Sequence, residues 1–224
     1  MKSRTFIYTP STLTGAMAAP LPVFVTGNKD KAAELLAATS YCGHFEVAYH
    51  HIEELQGSAV DIARHKAKQA FVLVNTPAKR PWWQISVGYG ETRPVFVEDT
   101  SLELEALGGM PGPYIKSFQD AMSCEEIARL VAGTSNTNAT ARSFVCHVCR
   151  PSAGDALVEA CFEAHINGTI VAPRGSGGFG FDSIFQPLGA KKTLAEMEPS
   201  ERSEYVPRIL AVKGLFEHLA LERG

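Results

Sequence analysis

The chain has 224 residues, 45% hydrophobic and 20% charged, with 21 basic against 24 acidic side chains and a net charge of -3. That is ordinary globular composition, enough for one domain with a sizeable core or two small lobes. The missing basic excess disfavours a nucleic-acid backbone as partner, and no apolar run approaches the roughly 20 residues of a membrane span. Five cysteines, an odd number without a disulfide-framework spacing, point to reduced thiols and a cytoplasmic location.

Residues 1–22 stand apart: Lys2, Arg4, six Ser/Thr and no acidic residue. They read as a disordered extension with a faint transit-peptide composition, and they lack the apolar region of a secretory signal. Residues 23–224 read as a single domain, with no internal repeat and no linker that would divide it.

Residues 22–27, PVFVTG, read as a strand entering a tight turn. A helix is expected from about Asp30 to Thr39, with Ala33, Leu36 and Ala37 recurring at helical spacing. Strand, Gly turn and helix start make a natural anion site, because free N–H groups and the positive end of the dipole face the ligand. Lys31 would add a movable positive charge. Residues 45–49 alternate as a half-buried strand. His50 and His51 then read as surface histidines, followed by Glu53 and Glu54 near a Gly turn.

Ser58 can cap a helix from about Ala59 to Val74. Ile62, Ala63, Ala67, Ala70, Phe71 and Val74 form its apolar face. Lys66 borders that face, and position alone favours a lysine that snorkels to solvent. Residues 75–94, with three prolines and the pair Trp82-Trp83, read as an insertion.

Val95-Phe96-Val97 is a short apolar run that suits a buried strand, and Glu98 and Asp99 follow where it ends. In open α/β sheets ligands sit beyond the carboxyl ends of strands. Two carboxylates there are placed to hold a hard divalent cation; a strand ending in solvated acids is the plain alternative. A Gly/Pro turn over 108–113 leads to Tyr114 and Lys116. A helix over about 124–132 would turn Ile127, Leu130 and Val131 inward. Strands over about 142–149 and 157–166 read as an antiparallel hairpin. Cys146 and Cys149 lie three apart in a strand, so they point to opposite faces and make a poor metal pair. In the Gly-rich run 175–182, backbone can approach a ligand closely. Phe179 and Phe181 either stack on a base or pin the loop to the core. A last helix over about 207–222 begins with Pro207, at a tolerated first-turn position.

From Val23 to about Leu221 the chain resembles the inosine triphosphate pyrophosphatase (Ham1) family, and its wording is nearest the eukaryotic branch. Four blocks carry the resemblance: VFVTGNKDK, VEDTSLELEALGGMPGPYIKSF, APRGSGGFGFDSIFQP and KTLAEMEPSER. It implies an α/β fold with an elongated mixed β-sheet and helices, and two lobes around a deep central cleft. It implies a homodimer that uses magnesium, or manganese in its place, to split nucleoside triphosphates such as ITP, dITP and XTP. Cleavage between the α- and β-phosphates would release the monophosphate and pyrophosphate.

By the same resemblance Thr26, Gly27, Asn28 and Lys31 match the triphosphate-binding turn. Glu54 matches a magnesium ligand. Lys66 matches a phosphate-contacting lysine, which reverses the positional reading. Asp99 matches the acid central to metal binding and catalysis, with Glu98 beside it and Thr100 at the substrate; Asp99 is favoured as the general base. Lys116 matches a further substrate lysine. Phe179, Gly180, Phe181 and Asp182 match the loop beside the base. Arg202 stands where the family usually has lysine, and Val206-Pro207-Arg208 stands where it has Ser-His-Arg. Proline cannot donate there, so base discrimination is expected to be weakened or shifted while Arg208 remains as a donor. The competing readings are a Maf-type nucleotide pyrophosphatase and a nucleotide-binding protein that no longer hydrolyses.

Overall fold

The computed structural model describes residues 20–76, 92–152 and 154–221. The Trp82-Trp83 pair and nearly all of the amino-terminal extension lie outside the described residues. So does the middle of the insertion; its base is clamped where Asn75 Nδ2 donates to Arg93 O at 3.0 Å and Arg93 N donates to Asn75 Oδ1 at 2.7 Å.

Among the described residues seven strands form one mixed sheet: β1 (Val23–Thr26), β2 (Glu46–Tyr49), β3 (Val95–Leu104), β4 (Pro111–Gly112), β5 (Asn138–Cys149), β6 (Val158–Ile170) and β7 (Phe185–Pro187). Their order is β2-β1-β3-β5-β6-β7, with β4 pairing β3. β1 runs parallel to β2 and β3, and every other pairing is antiparallel. β3 therefore joins a parallel half to an antiparallel half. It does not end at Glu98, as the apolar run alone suggests, because all ten of its residues pair with β5. The strand that ends there is β1, whose last residue is Thr26.

Among the described residues seven helices cover the sheet: α1 (Lys29–Ala37), α2 (Thr39–Cys42), α3 (Ala59–Asn75), α4 (Ile115–Ala121), α5 (Cys124–Ala132), α6 (Pro199–Arg202) and α7 (Pro207–Leu221). Phe24 and Phe96, stacked at 5.0 Å, anchor a core beneath α1 and α7. Val25, Val95 and Val97 face the other way, onto Ala63, Ala67 and Phe71 of α3. A third core, around Leu102, Ile127 and Phe185, joins the far end of β3 to α4 and α5. Each fully buried side chain of this size contributes about 1.5–3 kcal/mol. Among the described residues no helix is long and apolar enough to cross a membrane.

Three local expectations are corrected. The buried residues of α1 are Ala32 and Leu35, whereas Ala33, Leu36 and Ala37 are exposed. Both sets have helical spacing, and docking on Phe24 and Phe96 selects the first. Leu130 of α5 is exposed for the same reason; Ile127, Ala128 and Val131 are buried instead. Finally, Cys146 and Cys161 are directly opposed across β5 and β6 and form a disulfide, so the cysteines are not all reduced.

Candidate active site

The cleft opens where β1 stops. Asn28 caps α1, its Oδ1 accepting from the N–H groups of Asp30 at 2.8 Å and Lys31 at 3.1 Å. Thr26 Oγ1 accepts from Asn28 N at 3.1 Å and fixes the turn. The cap occupies two free N–H groups, so the Lys31 side chain supplies much of the positive charge here. Thr26, Gly27, Asn28, Lys31, Glu54, Lys66, Glu98 and Lys116 line this end.

Glu98 and Asp99 are consecutive in β3 and face opposite sides of the sheet, as strand alternation requires. Asp99 turns toward α3. Its Oδ1 accepts from Lys66 Nζ at 2.6 Å, and the same ammonium donates to Glu54 Oε1 at 3.0 Å. Lys66 is therefore buried between two acids and does not snorkel out. Burial works against its charge, but Asp99 and Glu54 outweigh that and hold its pKa above the ordinary lysine value. For Asp99 burial wins. It raises the pKa, Lys66 and Lys31 offset the rise only in part, and the like charge of Glu98 adds to it. Glu54 is half-exposed; burial there is outweighed by Lys66, then Lys116 and Lys31, which hold its carboxyl below the usual range.

Glu98 turns the other way, toward α1 and α7. Its Oε2 lies 2.8 Å from Lys31 Nζ and 3.0 Å from Arg208 Nε. Its Oε1 accepts from the hydroxyls of Thr100 and Ser143, each at 2.7 Å. Burial opposes ionisation, yet Arg208 and Lys31 hold the carboxyl well below the usual range. Glu98, expected beside Asp99 as a metal ligand and catalytic group, has both its oxygens engaged on the opposite face. Among the described residues no three His, Cys, Asp or Glu side chains form a metal cage. Glu54 and Asp99 converge only as a pair. Two carboxylates with substrate oxygens and water are an adequate donor set for magnesium, so the residues present fit that ion.

At its other end the cleft is aromatic and apolar, lined by Ile115, Phe179, Gly180, Phe181, Leu194, Val206 and Pro207, with Asp182 and Arg208. The Arg208 guanidinium lies 5.2 Å from the Phe179 ring centroid. Its Nη1 is bonded to Glu34, and its Nη2 donates to Thr100 Oγ1 at 2.9 Å. Arginine has more N–H groups than these contacts and the one to Glu98 use, so donor capacity remains. Phe181 is buried edge-on against Phe185 at 6.0 Å, and it pins the loop from the core side. Phe179 is thus the aromatic available for stacking.

Asp182 Oδ2 accepts from Phe179 N at 3.0 Å and lies 3.5 Å from Arg202 Nη1. Burial pushes the Asp182 carboxyl up to about 6; the Phe179 N–H opposes the rise, Glu34 adds to it, and Arg202 and Arg208 oppose it again. Arg202 also reaches Glu34 Oε1 at 3.1 Å and so braces the aromatic end from behind. Gly178, at φ 69°, permits this contact, because a Cβ there would run into Asp182 and Arg202.

The structure therefore gathers the predicted site residues around one cleft; all but Arg202 line it, and Arg202 stands behind. Glu34 was missed. It lies three residues after Lys31 in α1, on the same helix face, and that spacing was the available signal.

The Ham1 family model matches residues 22–218. The chain is 34% identical over 204 residues to the inosine triphosphate pyrophosphatase of Schizosaccharomyces pombe, covering 90% of this chain and 96% of that one. It is 35% identical over 202 residues to inosine triphosphate pyrophosphatase 1 of Trypanosoma cruzi, covering 88% and 91%. The Staphylococcus aureus Ham1 protein has the same fold, with a TM-score of 0.65 at 19% identity, covering 89% of this chain and 99% of that one.

Proposed function

The chain belongs to the Ham1 family, and from that premise we propose that it hydrolyses non-canonical purine nucleoside triphosphates. ITP, dITP and XTP are the substrates, and the monophosphate and pyrophosphate are the products. This would clear the nucleotide pool of deaminated purines. The observation that carries the reading is the polarity of the cleft. Lys31, Lys66 and Lys116 gather at one end with Glu54 and Asp99, and Phe179 with Arg208 waits at the other. A triphosphate carries about four negative charges that cations must offset before a nucleophile can approach; a purine needs an aromatic face.

In this mechanism Lys31 and Lys116 hold the phosphates, and Lys66 offsets charge beside Asp99. Water adds across the α–β anhydride. The Asp99 carboxylate takes a proton from it, a task suited to a carboxyl whose pKa burial raises. Pyrophosphate leaves against the lysines. Glu54 and Asp99 are the residues to hold magnesium, or manganese in its place, which when bound would offset further phosphate charge.

The base end favours a weakened discrimination. Val206 and Pro207 line it without a side-chain donor, so Arg208 is left to read the 6-keto oxygen. A homodimer belongs to the reading through the family resemblance, and sedimentation tests it. Cytoplasmic residence belongs to it as well, although the Cys146–Cys161 bond must then persist against a reducing pool.

The experiment is product analysis with magnesium and ITP, XTP, GTP or ATP, assaying pyrophosphate and orthophosphate separately. Pyrophosphate from ITP is expected. Its absence with every nucleotide would leave a binding protein without hydrolysis. A preference for ITP over ATP and GTP as strong as an intact Ser-His-Arg reader would give counts against weakened discrimination.

A further inference from the structure

Glu98 stands between the two ends of the cleft. Its side chain is 0% exposed. One oxygen, Oε2, is shared by Lys31 of α1 at 2.8 Å and Arg208 of α7 at 3.0 Å. Lys31 belongs to the phosphate end; Arg208 belongs to the base end and lies over Phe179. The other oxygen is held by Thr100 and Ser143, so the carboxylate cannot swing to follow either cation.

We infer that Glu98 is a positioning residue that couples the grip on the base to the grip on the triphosphate, and is not a metal ligand. The physical argument is competition for one anion. When phosphate draws Lys31 away, Oε2 loses one of its two cations. Arg208 becomes its main counter-charge and is held more firmly over Phe179. In a water-poor site that exchange is weakly screened. Coupling of binding free energies is reciprocal, so a base seated on Phe179 and Arg208 in turn frees Lys31 for the phosphates. A nucleotide with both parts then binds better than its parts would separately. The inference rests on the pyrophosphatase reading.

The test compares the wild-type chain with Glu98→Gln, which removes the charge at nearly constant volume. Two probes are titrated calorimetrically with magnesium present. Inorganic tripolyphosphate has no base; the α,β-methylene analogue of ITP resists cleavage. The ratio of their dissociation constants reads what the base adds. In Glu98→Gln that ratio is expected to shrink by about fivefold or more, while tripolyphosphate affinity is retained or rises and the half-saturating magnesium concentration is unchanged. An unchanged ratio overturns the coupling. A raised magnesium requirement also overturns it, since that is the mark of a metal ligand. Thermal melting checks the fold, and Glu98→Asp, whose shorter carboxylate cannot hold both cations, carries the same criteria if the glutamine variant does not fold. A wild-type chain that releases no pyrophosphate from ITP fails the pyrophosphatase reading itself; one that does, with an unchanged ratio in the variant, fails only the coupling.

Discussion

Glu98 and Asp99 are adjacent in the chain and belong to different ion networks on opposite faces of one sheet. Asp99 meets Lys66 of α3 at 2.6 Å, and Glu98 meets Lys31 of α1 at 2.8 Å. Strand alternation sets that divergence, and the end of β1 at Thr26 makes it useful. At that gap both faces open onto the same cleft, which lets one dipeptide carry the proton-accepting role proposed for Asp99 and the organising role proposed for Glu98.

Asp99→Asn follows directly. The substitution removes the charge facing Lys66 and keeps the volume. Turnover of ITP is expected to fall by about 10²–10⁴-fold, the usual worth of a general base, with thermal melting near that of the wild type. Wild-type turnover in this variant would remove Asp99 from the mechanism.

Phe179→Ala addresses the base end. Stacking on an aromatic ring contributes about 1–3 kcal/mol per base. The loss is expected in KM for ITP, while inhibition by tripolyphosphate is unchanged. Phe181→Ala should behave differently, because that ring packs on Phe185 in the core. It should lower the melting temperature first. Equal KM effects from the two variants would contradict the division of roles.

Much of this arrangement can be read from the residues, and the failures have physical reasons. The β1–α1 turn, α3 with its Ser58 cap, the β5–β6 hairpin and α7 all follow from periodicity and capping. The inward face of α1 does not, because Ala32/Leu35 and Ala33/Leu36 fit a helix equally and only docking decides between them. Lys66 reads as a snorkelling lysine until Asp99, 33 residues away in sequence, arrives beside it. Alternation alone would have turned Glu98 away from Asp99. The Cys146–Cys161 bond depends on a hairpin register that composition does not set.

That bond yields a third prediction. The two cysteines are 15 residues apart in sequence with Cα atoms 4.2 Å apart. A cross-link closing a loop of this length stabilises by about 3 kcal/mol. Dithiothreitol, or Cys146→Ser, should therefore lower the melting temperature of the wild-type chain. The reductant should leave the melting of Cys146→Ser itself unchanged. Free thiols at both positions in protein purified without reductant would show that the bond does not form.

The last prediction concerns pH and Asp182. Burial raises its carboxyl from the ordinary 3.8 to about 6. Between those values the folded chain holds a proton that the unfolded chain has released, so stability falls as pH rises through the window. Above about 6 the charged carboxylate is present in the fold, and its cost no longer changes. Asp182→Asn has no proton to lose and can still accept from Phe179 N. The melting temperature of the wild type relative to this variant is therefore expected to decline from pH 4 to pH 6 and then level off. The same window should appear in KM for ITP, because Asp182 lines the base end beside Phe179, and not in inhibition by tripolyphosphate. A melting difference that stays flat across the window, or rises with pH, would show that the Phe179 N–H and Arg202 hold Asp182 ionised at low pH despite its burial.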